Sequence, residues 1–234
     1  MHIVITRPKE DSLYLIENLI KSGHVVTHLP VIKIEKLTTK KINLLNYQAI
    51  IFTSSNAIRF MNIEKFNSKI KCFCVGKATE SSAKQVGFIN THTSEGTVDS
   101  LVELIIRTLD NKSKKLLYLS SEFISKDLDK DLNKEGYLVD RISNYTSLPV
   151  EIIDEKTLNF LEKNPPNAIF IYSSKSAINL FNLINKYSLL NLVTQSHLMC
   201  ISEKVLSELK QIKCKKAFVF SPGEEEFFLK KIIK

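Results

Sequence analysis

Two polar turns of nearly the same sequence are the places where this chain could do chemistry. The first, TSSNA at residues 53–57, follows the apolar run AIIF, and the second, SSKSA at residues 173–177, follows AIFIY. A helical pattern follows each turn, so hydroxyls and unpaired backbone N–H groups are expected at two helix N-termini. Such groups donate readily to carboxylates and phosphates, although helix capping alone would explain any single turn.

Further polar turns follow other apolar runs of the chain. With the first two they make seven, the others being residues 6–11, 76–80, 120–125, 202–205 and 221–225. Ligands of open parallel sheets bind beyond the carboxyl ends of the strands. Seven such turns directed at one cleft therefore favour binding of a small anion over capping alone.

The usual catalytic motifs are missing from the sequence. There is no glycine-rich dinucleotide or P-loop motif, no G-x-S-x-G elbow, and no serine or cysteine with an evident histidine partner. Cys72 and Cys74 could form half of a metal site, but buried thiols are the preferred interpretation because no second pair lies at ligand spacing. We expect no metal and no cofactor, and hence a binding protein or an enzyme whose reagent is already activated.

The charge balance narrows the choice of partner. Net charge is +8, from 33 Lys+Arg against 25 Asp+Glu, which suits nucleic acid or a polyanionic small molecule. Lysines are spread along the chain, aromatic residues do not interleave with them, and tryptophan is absent, so no nucleic-acid partner is expected. No apolar run approaches the ~20 residues of a membrane span, and the N-terminus lacks a signal-peptide layout. The expected location is cytoplasmic, away from membranes.

Short apolar runs alternate with helical patterns along the chain, which predicts a doubly wound α/β architecture with helices on both faces of parallel sheets. The predicted strands are residues 2–6, 25–32, 49–53, 72–76, 116–120, 138–145, 168–172, 198–202 and 217–220. One predicted helix places Leu13, Ile16, Leu19 and Ile20 on one face and ends at Gly23. A second predicted helix begins at a Thr97 cap, and a third ends at Gly136.

An internal repeat predicts two similar domains rather than one. The segments CFCVGKATESSAKQVGF (72–88) and LMCISEKVLSELKQIKC (198–214) extend the similarity of the two polar turns, and the N-terminal unit has an echo after residue 115. We predict a discontinuous first domain of residues 1–33 plus 150–234 and a second domain of residues 37–146. Extended segments 31–37 and 145–151 would be crossing strands that form a two-stranded β-ladder, with a cleft between the domains.

The order and spacing of these motifs resemble the uroporphyrinogen-III synthase family over the whole chain. The resemblance rests on ITRPKEDSLYLIENLIKSGHVVTHLP, the paired IFTSSNAIRF and IYSSKSAINLF, VGKAT, and LLYLSS…DLNKEGYLVDRISNYTSLP. Two turns differ from the family pattern, at Ser120–Ser121 and at 202–204. The resemblance implies a lyase of haem biosynthesis that cyclises hydroxymethylbilane with inversion of ring D and loss of water. Nothing in the sequence suggests a dimer seam, so we expect a monomer, with a transient contact to the enzyme that supplies the substrate.

The resemblance also implies roles for individual residues. Tyr145 would be the donor that helps the hydroxyl leave, or else a tyrosine that only packs at the hinge. Arg7 would add positive charge or else only stabilise the first turn, and Lys77 would add positive charge or else only be solvated. Gly76 would let a carboxylate approach the backbone, and Thr79 would donate or cap its helix. The carboxylates of the substrate would be held by Arg7, Thr53, Ser54, Ser55, Asn56, Gly76, Lys77, Thr79, Ser173, Ser174, Lys175, Ser176 and Ser202. The alternative is a two-domain α/β sensor or small-anion-binding module without catalysis.

Overall fold

The apolar runs of the sequence form two parallel β-sheets covered by helices. The computed structural model describes residues 1–210, 212–221 and 223–232. Gln211, in the segment 198–214 of the repeat, and Pro222, in the last polar turn, lie outside the described residues. The chain divides into unit 1, Met1–Lys33 with Leu148–Lys234, and unit 2, Ile34–Ser147.

The described strands, in chain order, are β1 (His2–Ile5), β2 (Val25–His28), β3 (Ile32–Lys36), β4 (Ile42–Asn43), β5 (Ala49–Phe52), β6 (Ile63–Lys65), β7 (Lys71–Cys74), β8 (Thr91–Thr93), β9 (Leu116–Ser121), β10 (Val139–Pro149), β11 (Ala168–Ile171), β12 (His197–Cys200) and β13 (Lys216–Val219). The described α-helices are α1 (Leu13–Lys21), α2 (Ser55–Arg59), α3 (Lys77–Gln85), α4 (Val98–Thr108), α5 (Leu128–Lys134), α6 (Glu155–Lys163), α7 (Ser174–Lys186), α8 (Leu190–Thr194), α9 (Glu203–Ser207) and α10 (Glu225–Ile232). Short 3₁₀ turns cover Lys9–Asp11 and Leu44–Asn46. No helix within the described ranges has the length and apolarity needed to cross a membrane.

The two main sheets share one strand order, as the internal repeat predicts. In unit 1 the order is β13-β12-β11-β1-β2, and all four pairings are parallel. In the second sheet the strands run β8-β7-β5-β9-β10, also in parallel, with β3 beside β10 at the edge. The strands that lead into the two similar turns, β5 and β11, therefore occupy equivalent central places. The predicted α/β fold class is confirmed.

The boundaries between the two units fall within β3 and β10, which lie next to each other in the sheet. Backbone hydrogen bonds accompany this pairing at both ends. The N–H of Leu37 donates to the carbonyl of Asn144 at 3.0 Å, and the N–H of Val150 donates to the carbonyl of Val31 at 3.0 Å. The polypeptide thus passes from one unit to the other and back through two neighbouring extended segments.

Each sheet carries apolar side chains on both faces. In unit 1, Val4 belongs to one buried cluster, while its neighbours Ile3 and Ile5 belong to another. In unit 2, Ile50 and Ile51 divide in the same way between two further clusters. This alternation explains why the strands read as continuous apolar runs: helices cover both sides of each sheet.

Several element boundaries differ from the sequence prediction. The predicted strand 25–32 is wrong as a single element, because β2 ends at His28 and β3 begins only after Pro30, which has no N–H to give a sheet. The strands β4, β6 and β8 were not predicted; each has only two or three residues. The predicted face of α1 is wrong in part: Leu19 is buried, but Leu13 and Ile20 are 47% and 55% exposed.

The predicted helix N-cap and helix C-terminal glycines agree with the structure. Thr97 caps α4 by accepting the N–H of Ser100 at 3.1 Å, and the Ser100 hydroxyl in turn accepts the N–H of Thr97. Gly23 and Gly136 follow α1 and α5 with φ of 81° and 85°, the left-handed region that glycine adopts at low cost. These signals depend only on near neighbours in sequence, which is why they can be read before the fold is known.

Candidate functional site

Three of the polar turns of unit 1 follow adjacent strands. Arg7 lies just after β1, Ser173 just after β11 and Ser202 just after β12, and these strands are neighbours in the parallel sheet. Their carboxyl ends therefore meet at one edge. The chain adds strands in one direction from β1 to β2 and in the opposite direction from β11 to β13, so the strand order reverses between β1 and β11. Doubly wound sheets bind ligands at this point of reversal.

The serines of this edge cap helices. Ser173 Oγ accepts the N–H of Ser176 at 3.0 Å and lies 2.8 Å from the Ser176 hydroxyl. Ser202 Oγ accepts the N–H of Val205 at 3.3 Å. Ser174 is half-buried in the first turn of α7, Lys175 is exposed, and Ser176 is buried. These serines therefore act as helix caps, as the sequence alone would explain. Each cap fixes its turn, and the other backbone N–H groups of the first helical turn point outward from the helix end.

Arg7 rests on an aromatic ring at the same edge. Its guanidinium carbon lies 4.6 Å from the ring centre of Tyr172, and its carbonyl accepts a hydrogen bond from His28 Nε2 at 2.8 Å. Burial, with the nearby Glu225 carboxylate, raises the pKa of Tyr172 well above its ordinary value. The Tyr172 hydroxyl is therefore neutral at physiological pH, and Arg7 supplies the positive charge at this point of the edge.

The matching edge of unit 2 is built by β9, β5 and β7. Ser54 caps α2 by accepting the N–H of Asn56 at 3.2 Å, and the hydroxyl of Ser55 lies 3.5 Å from the carbonyl of Ala78. The Asn56 side chain is buried and accepts a hydrogen bond from Arg59 Nη1 at 2.8 Å. Asn56 is therefore buried and hydrogen-bonded to Arg59, whereas Ser54 and Ser55 stay partly accessible.

The turn after β7 begins α3. Gly76 is the N-cap residue with φ of −168°, an extended conformation open to any residue, and a Cβ added there would meet Gly96 Cα at 3.7 Å, an ordinary contact. Lys77 is exposed, whereas Thr79 is buried within the helix. Because Gly76 holds the cap position, Thr79 does not cap α3.

A pocket of about 190 Å³ lies at the carboxyl edge of unit 2, where β9 meets β5. Tyr145 is 7% exposed, and its ring centre lies 6.5 Å from that of Phe60. Thr53 Oγ1 and Tyr118 Oη are 3.1 Å apart, so one of them donates to the other. The lining residues are Thr53, Val98, Tyr118, Ser121, Phe123, Ile124, Ser125, Lys126 and Tyr145. Two predicted site residues, Thr53 and Tyr145, thus share one cavity.

Ser121 and Tyr118 line the pocket but are not among the predicted site residues. Ser121 is 9% exposed, and its buried Oγ has no hydrogen-bond partner among the described residues. Burial raises the pKa of Tyr118. The only signal in the sequence was the position of Ser121 in a polar turn after an apolar run, which does not reveal that its hydroxyl would be left unpaired.

Arg141 holds the end of β9, the strand that carries Ser121. It stands opposite Tyr118 in the register of β10 and β9. Its guanidinium donates to Ser120 Oγ at 2.9 Å and to the carbonyls of Ser121 and Glu122 at 3.1 and 3.0 Å. These acceptors are neutral, so the hydrogen bonds hold the end of β9 and the residue after it in place and bring a positive charge to them.

Cys72 and Cys74 are buried side by side in unit 2. Cys72 and Cys74 are buried with their sulfur atoms 3.8 Å apart, and the hydrogen bond between them, together with burial, raises the pKa of the Cys72 thiol. Across residues 1–210, 212–221 and 223–232, no three His, Cys, Asp or Glu side chains gather closely enough to hold an ion. A protonated, buried thiol packs as a small apolar group.

Two comparisons with known protein sequences agree. A family model described as uroporphyrinogen-III synthase HemD matches residues 14–222. The porphyrin biosynthesis protein HemD of Ruminiclostridium josui is 28% identical over 159 residues, which cover 62% of this chain and 32% of that protein. This chain therefore spans about a third of the length of that curated relative.

Two solved structures share the fold. The uroporphyrinogen-III synthetase of Helicobacter pylori superposes with a TM-score of 0.67 at 16% identity, over 100% of this chain and 99% of the other. A mutant uroporphyrinogen III synthase of Thermus thermophilus gives a TM-score of 0.56 at 14% identity, over 100% and 98%. At these identities the likeness concerns the arrangement of the strands and helices.

Proposed function

This chain belongs to the uroporphyrinogen-III synthase family, and on that premise we propose that it converts hydroxymethylbilane into uroporphyrinogen III and water. The single observation that carries the proposal is the family match, which extends over residues 14–222. Each sheet carries a row of capped, hydroxyl-bearing turns at the carboxyl ends of its strands. These turns support the proposal because they can donate hydrogen bonds to carboxylates, and the linear tetrapyrrole of this family carries eight carboxylates. A net charge of +8 suits the same substrate.

The reaction requires little acid–base chemistry from the protein. The nitrogen lone pair of the hydroxymethyl-bearing pyrrole expels the terminal hydroxyl, which leaves as water after gaining a proton, and an azafulvene cation remains. The substituted carbon of ring D attacks this cation to form a spiro intermediate, which fragments and recloses with ring D inverted. Loss of the ring proton restores the neutral pyrrole. The substrate supplies its own electrons, so the main task of the protein is positioning.

Within this scheme each group of residues has a distinct task. We assign carboxylate binding to the turns that contain Thr53–Ser55 in unit 2 and Ser173–Lys175 in unit 1, with Arg7 supplying positive charge. Ser202, Gly76 and Lys77 would extend the two rows through the N-terminal ends of α9 and α3. Asn56, Thr79 and Ser176 are buried, and we assign them the task of holding these turns in place from behind.

Tyr145 is the proposed donor to the leaving hydroxyl. It lines the pocket of unit 2 together with Thr53. A phenol is a weak acid, and a weak donor suffices because the pyrrole nitrogen already drives the departure of the hydroxyl. Packing of its ring against Phe60 would hold the hydroxyl in one direction.

The test supplies hydroxymethylbilane to the full chain, oxidises the products and separates the isomers by chromatography. Uncatalysed closure uses the unsubstituted ring-D position and gives isomer I, so an excess of isomer III is expected. A heat-denatured sample of the same chain gives the uncatalysed ratio. Reversible binding of hydroxymethylbilane with isomer I as the only product would favour the alternative, a small-anion sensor without catalysis.

The form in which the protein acts is part of the proposal. We infer a monomer that works in the cytoplasm without metal or cofactor, with a transient contact to the enzyme that makes hydroxymethylbilane. This substrate closes spontaneously, so rapid transfer would favour isomer III. Sedimentation of the chain alone and mixed with that enzyme measures both the monomer and the contact.

A further inference from the structure

The pocket of unit 2 has an unpaired hydroxyl that the family assignment does not explain. Ser121 is nine-tenths buried, lines the pocket, and offers an Oγ that none of the described residues pairs. A buried hydroxyl without a partner lowers the stability of a protein. A group of this kind is expected where a ligand completes the hydrogen bond.

A second donor lies on the neighbouring strand. Thr53 and Tyr118 share one hydrogen bond of 3.1 Å, which uses one of their two hydroxyl protons. The other proton remains for an acceptor in the pocket. Because burial raises the pKa of Tyr118, its hydroxyl stays protonated at neutral pH and keeps this capacity. Ser121 on β9 and Thr53 after β5 thus present donors from the two strands that flank the winding reversal.

The rest of the lining fits an anion with a short apolar stem. Among the described residues that line the pocket, five carry hydroxyls and none carries a carboxylate. Lys126 adds positive charge, although it is paired with Asp99 and lies 3.9 Å from Asp131. Val98, Phe123 and Ile124 provide the apolar wall. Arg141 brings a further positive charge to the turn behind Ser121.

The volume limits what can enter. At about 190 Å³ the pocket is smaller than the roughly 300–1,000 Å³ of sites that enclose a drug-sized molecule. It has room for one arm of a large substrate, or one small ring, and not for a tetrapyrrole. The geometry points to a carboxylate subsite that takes one acetate or propionate arm, with Ser121 and the Thr53–Tyr118 pair as donors. This inference rests on the proposed function for the identity of the arm.

The experiment compares two unpaired buried hydroxyls of the same unit. Ser121→Ala removes the pocket hydroxyl. Thr146→Val removes the hydroxyl of a residue that is 5% exposed, also lacks a described partner, and is not among the residues that line the pocket. Both changes remove a buried hydroxyl that has no hydrogen-bond partner among the described residues. Because such a hydroxyl destabilises the folded chain, both variants should melt at the wild-type temperature or above it.

Two measurements are made on each full-length variant. One is the affinity for a monopyrrole bearing one acetate and one propionate arm, followed by chemical shifts of the backbone amides. The other is the KM for hydroxymethylbilane. We expect Ser121→Ala to weaken monopyrrole binding and raise KM about tenfold with kcat retained, because a hydrogen bond to a charged acceptor is lost. Thr146→Val should change neither quantity.

The outcomes separate the subsite from the proposed function. If the wild-type chain yields isomer III but Ser121→Ala leaves affinity and KM unchanged, the subsite is wrong and the synthase activity stands. If the wild-type chain yields only isomer I while monopyrrole binding still depends on Ser121, the activity is wrong and the subsite stands. Should Ser121→Ala fail to fold, Tyr118→Phe takes its place, and an unaltered KM there overturns the inference. A crystal of the wild-type complex with only water at Ser121 Oγ does the same.

Discussion

At the scale of a single residue, Tyr145 has a packing role in the structure and a chemical role only in the proposal. Its ring belongs to a buried cluster of unit 2 and lies beside Phe60, while the same residue lines the pocket. The two interpretations that the sequence left open are therefore both compatible with its surroundings. They differ in which atoms matter: packing needs the ring, and proton donation needs the hydroxyl.

Tyr145→Phe separates the two roles because it keeps the ring and removes the hydroxyl. If the hydroxyl protonates the leaving group, kcat for hydroxymethylbilane should fall about a hundredfold, the lower range for general acid catalysis. The melting temperature should change little. The assay is the rate of uroporphyrinogen III formation with excess substrate.

A second tyrosine provides the control for this variant. Tyr47→Phe removes a hydroxyl that donates to Asp140 at 3.1 Å, and it should leave kcat unchanged. Equal rates for wild type and Tyr145→Phe would restrict Tyr145 to packing, and the family assignment would be unaffected.

At the scale of elements, the capped helix ends explain how one kind of turn can serve stability and binding together. The cap hydroxyl accepts a backbone N–H, as Ser173 does at α7, while other N–H groups of the first turn remain for a ligand. The positive end of the helix dipole adds to this effect over the first turn. The cap and the ligand therefore use different atoms of the same turn, and substitutions can address them separately.

Ser173→Asp should preserve the cap and oppose the substrate. An aspartate accepts the N–H of Ser176 as well as serine does, so the free energy of unfolding should stay close to wild type. The added negative charge faces the carboxylates that this turn is proposed to bind, and KM should rise about tenfold or more. Denaturant titration and initial rates give the two quantities.

The matched variants lose a helix cap without adding a negative charge. Ser173→Ala should lower the free energy of unfolding by about 1 kcal/mol. Asp154→Ala removes the N-cap of α6, which accepts the N–H of Thr157 at 2.9 Å, and should lower stability by a similar amount while KM stays constant. A KM that remains at the wild-type value in Ser173→Asp would show that this turn does not face the substrate.

His2 ties β1 to its neighbours through a neutral ring. Asn164 offers a carbonyl that can only accept, so Nδ1 carries the proton and donates to it at 2.8 Å, and Nε2 accepts from the Thr27 hydroxyl at 2.8 Å. Burial lowers the pKa of His2 from its ordinary value of 6.5. The unfolded chain therefore binds a proton at a pH where the folded chain does not.

The sign of this linkage predicts how stability depends on pH. A depressed histidine pKa means that the unfolded state takes up more protons, so the free energy of unfolding decreases as pH falls through about 6.5. We expect His2→Gln to flatten the slope of stability against pH between roughly pH 7 and pH 5. Thr27→Val, which removes the donor to Nε2, should flatten it less. A slope unchanged in both variants would show that His2 titrates alike in the folded and unfolded chain.

The order of the elements was predictable from the sequence, whereas several details of the site were not. Continuous apolar runs predict strands that are buried on both faces of a sheet, and the internal repeat predicts two similar units. Both features can be seen in the sequence itself. The exposed Leu13 and Ile20 show the limit, because helical spacing does not say how far a buried stripe extends. The Thr53–Tyr118 pair and the unpaired Ser121 depend on β5 and β9 lying side by side, which only the folded chain reveals.

At the scale of the whole molecule, each unit has apolar cores of its own. The two clusters that contain Val4 and Ile3 draw all their members from unit 1, and the two that contain Ile50 and Ile51 draw theirs from unit 2. Unit 2 is also continuous in sequence, from Ile34 to Ser147. Its core therefore forms from one uninterrupted segment, whereas unit 1 needs both ends of the chain.

We expect the segment Ile34–Ser147 to fold when it is produced alone. Its size is within the range of single domains, and helices cover both faces of its sheet. Far-ultraviolet circular dichroism should show a cooperative thermal transition, with a lower midpoint than in the full chain because the segment loses part of β10 beyond Ser147. Phe88→Ala, which truncates a side chain that is 1% exposed, should cost about 3–5 kcal/mol and abolish the transition. A segment that shows no transition, while the full chain melts cooperatively, would mean that unit 2 depends on residues of unit 1 for its stability.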